Sequence, residues 1–384
     1  MPSALLIIII YLAFISLGLP DSVLGATWPT MRLSINAKLE AAGLIALLLT
    51  SCSATSSFFS VRLIKHFKTS SIITTSTFLT VLGLLGYALS PNFAWVIISA
   101  IPLGFGQGAI DSTLNNFVAK NLSSRHMSWL HACWGVGATL GPLIMTGMIA
   151  LQGSWRNGYL VIACIQGLLT LILFSNSKLF KNTHHKEFVV HDELSTKLIS
   201  GMNRTEPWIQ IFMYAFYTAS ECAIGIWSAS MLVDSRHYSQ AEAGLWVSLY
   251  FGSITVGRIL TGTVSDKLGN RFMVKWGLSL AFIGILILTN QSFHYGALLG
   301  LFLIGLGFSP VYPCLMHETP RRFAHDTAEK VIAFQIGSAS IGASVVPAII
   351  GLIASHTTLE ILAPTVGGFI LLLGAMNWRL NKVS

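Results

Sequence analysis

Four ionisable residues stand inside long apolar runs of this 384-residue sequence: Asp21, Asp111, Glu221 and Arg258. A charge so placed is costly in a hydrocarbon setting and normally faces a partner or a water-filled space, which makes each one a functional candidate. Asp21 follows Gly18-Leu19-Pro20, and proline leaves the carbonyl one turn earlier without its helical donor and can bend the helix. Asp111 stands in Gly108-Ala109-Ile110-Asp111-Ser112-Thr113-Leu114-Asn115-Asn116, and Glu221 lies about halfway along its run. Withdrawal from water disfavours the ionised form of a carboxyl group, so an acid at such depth can load a proton and release it when water or a cation arrives. Asp21, Asp111 and Glu221 are therefore expected to be proton-coupling groups; the plainer reading of each is a helix-to-helix tie. Arg258 precedes Asp266 by eight residues and is expected to snorkel toward the nearer surface.

The same runs carry Gln107, Asn115, Asn116, Trp134, Trp227, Tyr312 and Gln335. A solute rich in hydroxyls needs amides and carboxylates to bond it and aromatic faces to stack on its apolar side, so these seven are the substrate-binding candidates. Asn and Gln also tie helices together, and aromatic residues also fill cores. His131 is expected to bond a neighbouring helix, not to bind metal. Cys52, Cys133, Cys164, Cys222 and Cys314 fall in apolar stretches with no CxxC spacing, which supports neither a metal site nor a disulfide.

The elements that must hold these groups follow from composition. Hydrophobic residues make up 53% of the chain and charged residues 10%, against about 25% charged in a soluble domain. A membrane-spanning helix needs roughly 20 mostly apolar residues, and hydropathy places twelve such spans at about 4–28, 39–61, 70–89, 93–118, 128–151, 158–175, 208–232, 242–264, 272–291, 295–317, 331–354 and 360–378. The opening run lacks a basic segment before it, so it reads as the first span and not as a cleaved leader. The expected fold is an all-α membrane protein of twelve transmembrane helices in two pseudo-symmetric six-helix halves. The first half is residues 1–175, a cytoplasmic linker covers 176–207, and the second half is 208–384.

Charge orients this arrangement, because Lys and Arg are enriched in cytoplasmic loops. With both termini inside, eighteen of the 23 basic residues fall in inner segments and four, Arg32, Lys38, Arg156 and Arg236, in outer ones. The formal charge of +8 is spread singly over short loops, unlike the clustered basic face of a nucleic-acid binder, and no nucleic-acid partner is expected. Weak similarity between Gly104-Phe105-Gly106 and Gly305-Leu306-Gly307, and between the Pro142 and Pro347 segments, supports related halves. In such repeats substrate binds near the midplane while the halves rock.

The stretch Gly262-Thr263-Val264-Ser265-Asp266-Lys267-Leu268-Gly269-Asn270-Arg271 resembles the cytoplasmic loop signature of the major facilitator superfamily. The resemblance implies a cytoplasmic gate at Gly262, Asp266, Lys267, Gly269 and Arg271, to which Arg258 is added. The matching loop of the first half, Ser60 to Lys68, lacks the acid and the glycine. Within that superfamily, Gly104-Phe105-Gly106 with Asp111-Ser112-Thr113-Leu114-Asn115, Leu130-His131-Ala132 with Trp134-Gly135-Val136-Gly137 and Gly141-Pro142, Glu221 with Gly225 and Trp227, and Gly307-Phe308-Ser309-Pro310-Val311-Tyr312-Pro313 resemble the fucose permease group of sugar:proton symporters. The resemblance implies proton-driven uptake of a sugar or similar small polar solute, with Asp21 and Asp111 as coupling acids. Asn116 departs from the proline or threonine often found there, so it carries no substrate identity.

The main rival is a proton-coupled exporter of drugs or other amphipathic compounds, since Gly137-Ala138-Thr139-Leu140-Gly141-Pro142 also resembles an antiporter motif. A non-transporting membrane sensor is the remoter one. No HExxH or GxxxxGK[ST] pattern points to an enzyme. The expected partners are a small-molecule substrate and membrane lipids, with no cofactor beyond a coupling ion, expected to be a proton. The expected state is a monomer in a cell membrane, on this reading a bacterial inner membrane.

Overall fold

The computed structural model of the chain describes residues 4–122, 124–182, 202–291, 293 and 295–383. Twelve helices among the described residues are long and apolar enough to cross a membrane, and no strand occurs among those residues. They are α1 (Ala4–Ser34), α2 (Ala41–Ile64), α3 (Thr69–Ala88), α4 (Phe93–Val118), α5 (Trp129–Leu151), α6 (Trp155–Ser175), α7 (Thr205–Ser235), α8 (Gln240–Ser265), α9 (Asn270–Thr289), α10 (Gly296–Arg322), α11 (Asp326–His356) and α12 (Leu359–Lys382). Several exceed their expected spans. α1 continues six residues past 28, and α7 and α11 begin before 208 and 331, because hydropathy falls at charges such as Arg32, Glu206 and Lys330 while the helical backbone continues through them. Of the expected linker, residues 183–201, with Lys186, Asp192 and Glu193, lie outside the described residues.

Contacts divide the chain into two compact units. One comprises Met1–His185, Gly225–Gly252 and Ala348–Leu359; the other comprises Lys186–Ile224, Ser253–Pro347 and Glu360–Ser384. In the first unit, α1 is two helical pieces, Ala4–Asp21 and Val23–Ser34, interrupted at Ser22. Two prolines explain how the interruption is accommodated. Pro20 has no N–H to offer the Ser16 carbonyl, and Gln166 of α6 donates to that oxygen at 2.8 Å. Pro142 in α5 likewise frees the Ala138 carbonyl, and Ser22 Oγ donates to it at 2.7 Å. Each proline thus moves an intrahelical bond to a neighbouring helix, and the two bonds pin α1 beside α5 and α6.

Small residues bring these helices close. A Cβ on Gly18 would fall on the Trp134 carbonyl, one on Gly137 on the Ile15 carbonyl, and one on Gly141 on the Leu19 carbonyl. This is the close helix approach that glycine permits in membranes. Between α2 and α4, Ser57 Oγ donates to the Gly108 carbonyl at 2.9 Å, and Gly104 and Gly108 leave room for the α2 backbone at Leu49 and Ser53. At the start of α4 the Asn92 side chain accepts from Trp95 N–H at 3.1 Å, a helix cap that meets one otherwise unsatisfied donor.

The end of α7 is a π-helical turn, Met231–Ser235, a rare form found mostly as single turns and frequently at functional sites. It presents Asp234 to Arg32 at the end of α1, 2.9 Å away, within the first unit. Gln240 at the start of α8 donates to the Ala26 carbonyl at 2.6 Å in the same unit.

Candidate functional site

The site in the first unit grows from the break in α1. Asp21 ends the first helical piece and is exposed, though it lies in the interior of a 31-residue apolar helix. Its carboxylate is held by two donors from other helices: Gln107 Nε2 of α4 to Oδ1, and Trp134 Nε1 of α5 to Oδ2 at 2.7 Å. Hydrogen bonds to an ionised acceptor are about twice as strong as neutral ones, so the pair fixes the carboxylate while leaving it accessible. Trp134 reaches Asp21 because its own carbonyl rests against Gly18, one turn before the acid, at a separation a side chain would forbid.

Asp111 continues the same face of α4 one turn after Gln107, and Asn115 follows one turn later. Asn115 Nδ2 donates to Asp111 Oδ1 at 2.9 Å, and Asn115 Oδ1 is buried with no hydrogen-bond partner among the described residues. Asp111 is near enough to Asp21 for its charge to act there. The structure therefore brings together Asp21, Asp111, Gln107, Asn115 and Trp134. Asn116 is half-buried, next along α4. His131, one turn before Trp134, is exposed and lies edge-on to Phe14 with ring centres 6.1 Å apart.

A second polar centre occupies the second unit. Arg258 of α8 donates from its Nη2 to Glu221 Oε1 of α7 at 3.1 Å, with the two side chains 20% and 12% exposed. Arg258, grouped with the gate in the sequence, is thus extended toward Glu221 in this structure. Tyr217, one turn before Glu221, is close enough to interact with both charges. Its ring lies 6.1 Å from that of Tyr312, which also stacks edge-on with Tyr214 at 4.9 Å. Glu221, Arg258 and Tyr312 are thereby gathered into one aromatic-lined polar cluster. Gln335 is fully buried and donates to Thr319 Oγ1 at 3.1 Å, beside Gln210. Trp227, in the first unit, is fully buried with its indole against Gly351. In this conformation Gln335 is engaged by its hydrogen bonds with Thr319, and Trp227 packs against Gly351.

The loop motif folds as its glycine requires. Gly269 takes φ +83°, a left-handed backbone that favours glycine, and joins α8 to α9. Gly262 and Lys267 are exposed, while the Asp266 side chain lies outside the described residues. Arg271 Nε meets Glu318 Oε2 of α10 at 2.9 Å, and Asn270 Nδ2 donates to Oε1 at 3.2 Å. Arg321 and Arg322 approach the same carboxylate at 3.5 and 3.6 Å. Glu318 is the hub that sequence reasoning missed. Its signal was a single acid followed three and four residues later by two arginines, which reads as ordinary charge at a helix end.

The family model described as Major Facilitator Superfamily matches residues 10–347 and 208–383. Among curated proteins, the glucose/mannose transporter GlcP of Bacillus subtilis is 23% identical over 297 residues, covering 76% of this chain and 73% of that protein. The fosmidomycin resistance protein of Escherichia coli is 25% identical over 310 residues, covering 77% and 73%. Among solved structures, a D-xylose-proton symporter superposes with a TM-score of 0.78 at 14% identity, covering 99% of this chain and 98% of that one.

Proposed function

Because the chain belongs to the Major Facilitator Superfamily and is a transporter, not an enzyme, we propose that it carries a sugar or similar small polar solute by alternating access, in symport with protons. The observation that carries this reading is the Asp21 carboxylate: exposed at a helix break, held by Gln107 and Trp134, and one helix away from Asp111. Two carboxyl groups placed this way repel each other when both are ionised. Taking up a proton relieves the repulsion and turns a carboxylate acceptor into a hydroxyl donor. Substrate hydroxyls can then replace the Gln107 and Trp134 donors, so that proton and solute occupy the site together.

A neighbouring indole suits a sugar, whose apolar ring face stacks on aromatic carbon while its hydroxyls bond amides. The sugar assignment draws support from the names of the glucose/mannose relative and of the D-xylose-proton symporter. Glu221 is the third coupling acid in this proposal, with Arg258 as its counter-ion. The distribution of basic residues supports both termini on the cytoplasmic side, and the bacterial relatives support a bacterial inner membrane. The relative named for fosmidomycin resistance favours a second reading, export of an amphipathic compound.

The deciding experiment is a screen of hexoses, pentoses and sugar phosphates in proteoliposomes under an imposed pH or sodium gradient. Accumulation of one sugar class driven by an inward proton gradient supports the proposal. Accumulation driven only by sodium, or expulsion of amphipathic compounds without sugar uptake, contradicts it.

A further inference from the structure

The geometry points to a binding site for an anionic phospholipid in the second unit, in the groove between the start of α7 and the end of α12. The groove has a volume of about 410 Å³, and its walls carry Arg204 and Arg379 above an apolar floor that includes Trp208, Phe212 and Met376. No acidic residue lines it among the described residues. Arg204, Arg379 and Trp208 are all exposed. Lys382, one turn beyond Arg379 on α12, stands 5.3 Å over the ring of Trp378, outside the groove wall, so Arg204 and Arg379 are the groove's two cations among the described residues.

Three features select a lipid as occupant. The site lies at the ends of two spanning helices, on the cytoplasmic side in the orientation proposed above, where anionic headgroups gather. Basic pockets between helix ends on that side suit phosphate headgroups. Trp208 is anchored at that level by its Nε1, which donates to the Met202 carbonyl at 3.2 Å, and its ring lies 6.5 Å from Phe212 and 6.1 Å from Phe334. Such interfacial aromatics mark the boundary between headgroups and acyl chains. The groove is thus cationic at its rim and apolar below, which matches a phosphate followed by a hydrocarbon tail and not a free inorganic anion. Glu206 stands in the first turn of α7 but outside the groove wall, so the positive rim is not neutralised from within. A lipid here would bridge the first turn of α7 and the last turn of α12, and so tie the segment leaving the central linker to the C-terminal helix.

Native mass spectrometry of the full-length protein, titrated with phosphatidylglycerol or phosphatidylcholine in mixed micelles, tests this. The expected result is preferential retention of phosphatidylglycerol. Arg204→Gln/Arg379→Gln should lose that preference by roughly 30-fold, the factor that two near-surface arginines supply, while Arg204→Lys/Arg379→Lys keeps most of it. The lysine variant shows that the loss comes from charge and not from failed folding. Equal retention of both headgroups, unchanged preference in the glutamine variant, or displacement of lipid by millimolar inorganic phosphate would overturn the assignment.

Discussion

Trp134 Nε1 donates to Asp21 Oδ2 at 2.7 Å, joining α5 to the carboxylate at the break in α1. Hydrogen bonds to charged groups contribute about 1.5–3 kcal/mol. Trp134→Phe keeps an aromatic ring and removes the donor, so it is expected to lower gradient-driven uptake by about tenfold or more while the protein still folds. Initial uptake rates alongside a thermal-shift assay check this, and unchanged uptake would mean that the bond has no part in transport.

Gln166 and Pro20 should be energetically coupled. Gln166→Leu strands the Ser16 carbonyl, at a cost of about 1–3 kcal/mol for a buried unsatisfied acceptor. Adding Pro20→Ala restores an N–H one turn later in the same helix. The double variant is therefore expected to be more stable than Gln166→Leu alone, as read from the midpoint of thermal unfolding in detergent.

Much of this arrangement was legible from local spacing. The twelve spans, the proline before Asp21, and Asp111 and Asn115 one turn apart all depend on residues near one another in the chain. Trp134 was recognised as a candidate but not as the partner of Asp21, because that pairing depends on how closely Gly18, Gly137 and Gly141 let α1 approach α5. Glu318 and the Arg32–Asp234 pair were illegible for a related reason. Charges at helix ends look alike in sequence whether they meet solvent or one another, and only the tertiary crossing decides which.

The glycines at that crossing differ sharply from glycines elsewhere. Gly137→Ala is expected to destabilise by about 1–3 kcal/mol or more, since its Cβ would overlap the α1 backbone. Gly147, on the same helix, has open space where a methyl group would stand, with nothing within 4 Å, so Gly147→Ala should be close to neutral. Comparable yields and unfolding midpoints for the two variants would contradict the packing described.

Glu221 and Arg258 form a largely buried pair. Removing one partner leaves an uncompensated charge and costs about 3–5 kcal/mol, whereas removing both together is often neutral. Glu221→Leu and Arg258→Leu are each expected to express poorly, and the double variant to recover folded protein without recovering gradient-driven accumulation. Full recovery of accumulation in the double variant would reduce the pair to a structural tie.

The central claim is that the Asp21 and Asp111 carboxyl groups carry the coupling proton, and the most direct measurement compares two transport modes in proteoliposomes. For Asp111→Asn, uptake driven by a pH gradient should vanish while counterflow exchange of the same sugar remains measurable, because exchange needs the solute site but no net proton release. Equal loss of both modes, or accumulation at the unmodified level, would contradict it.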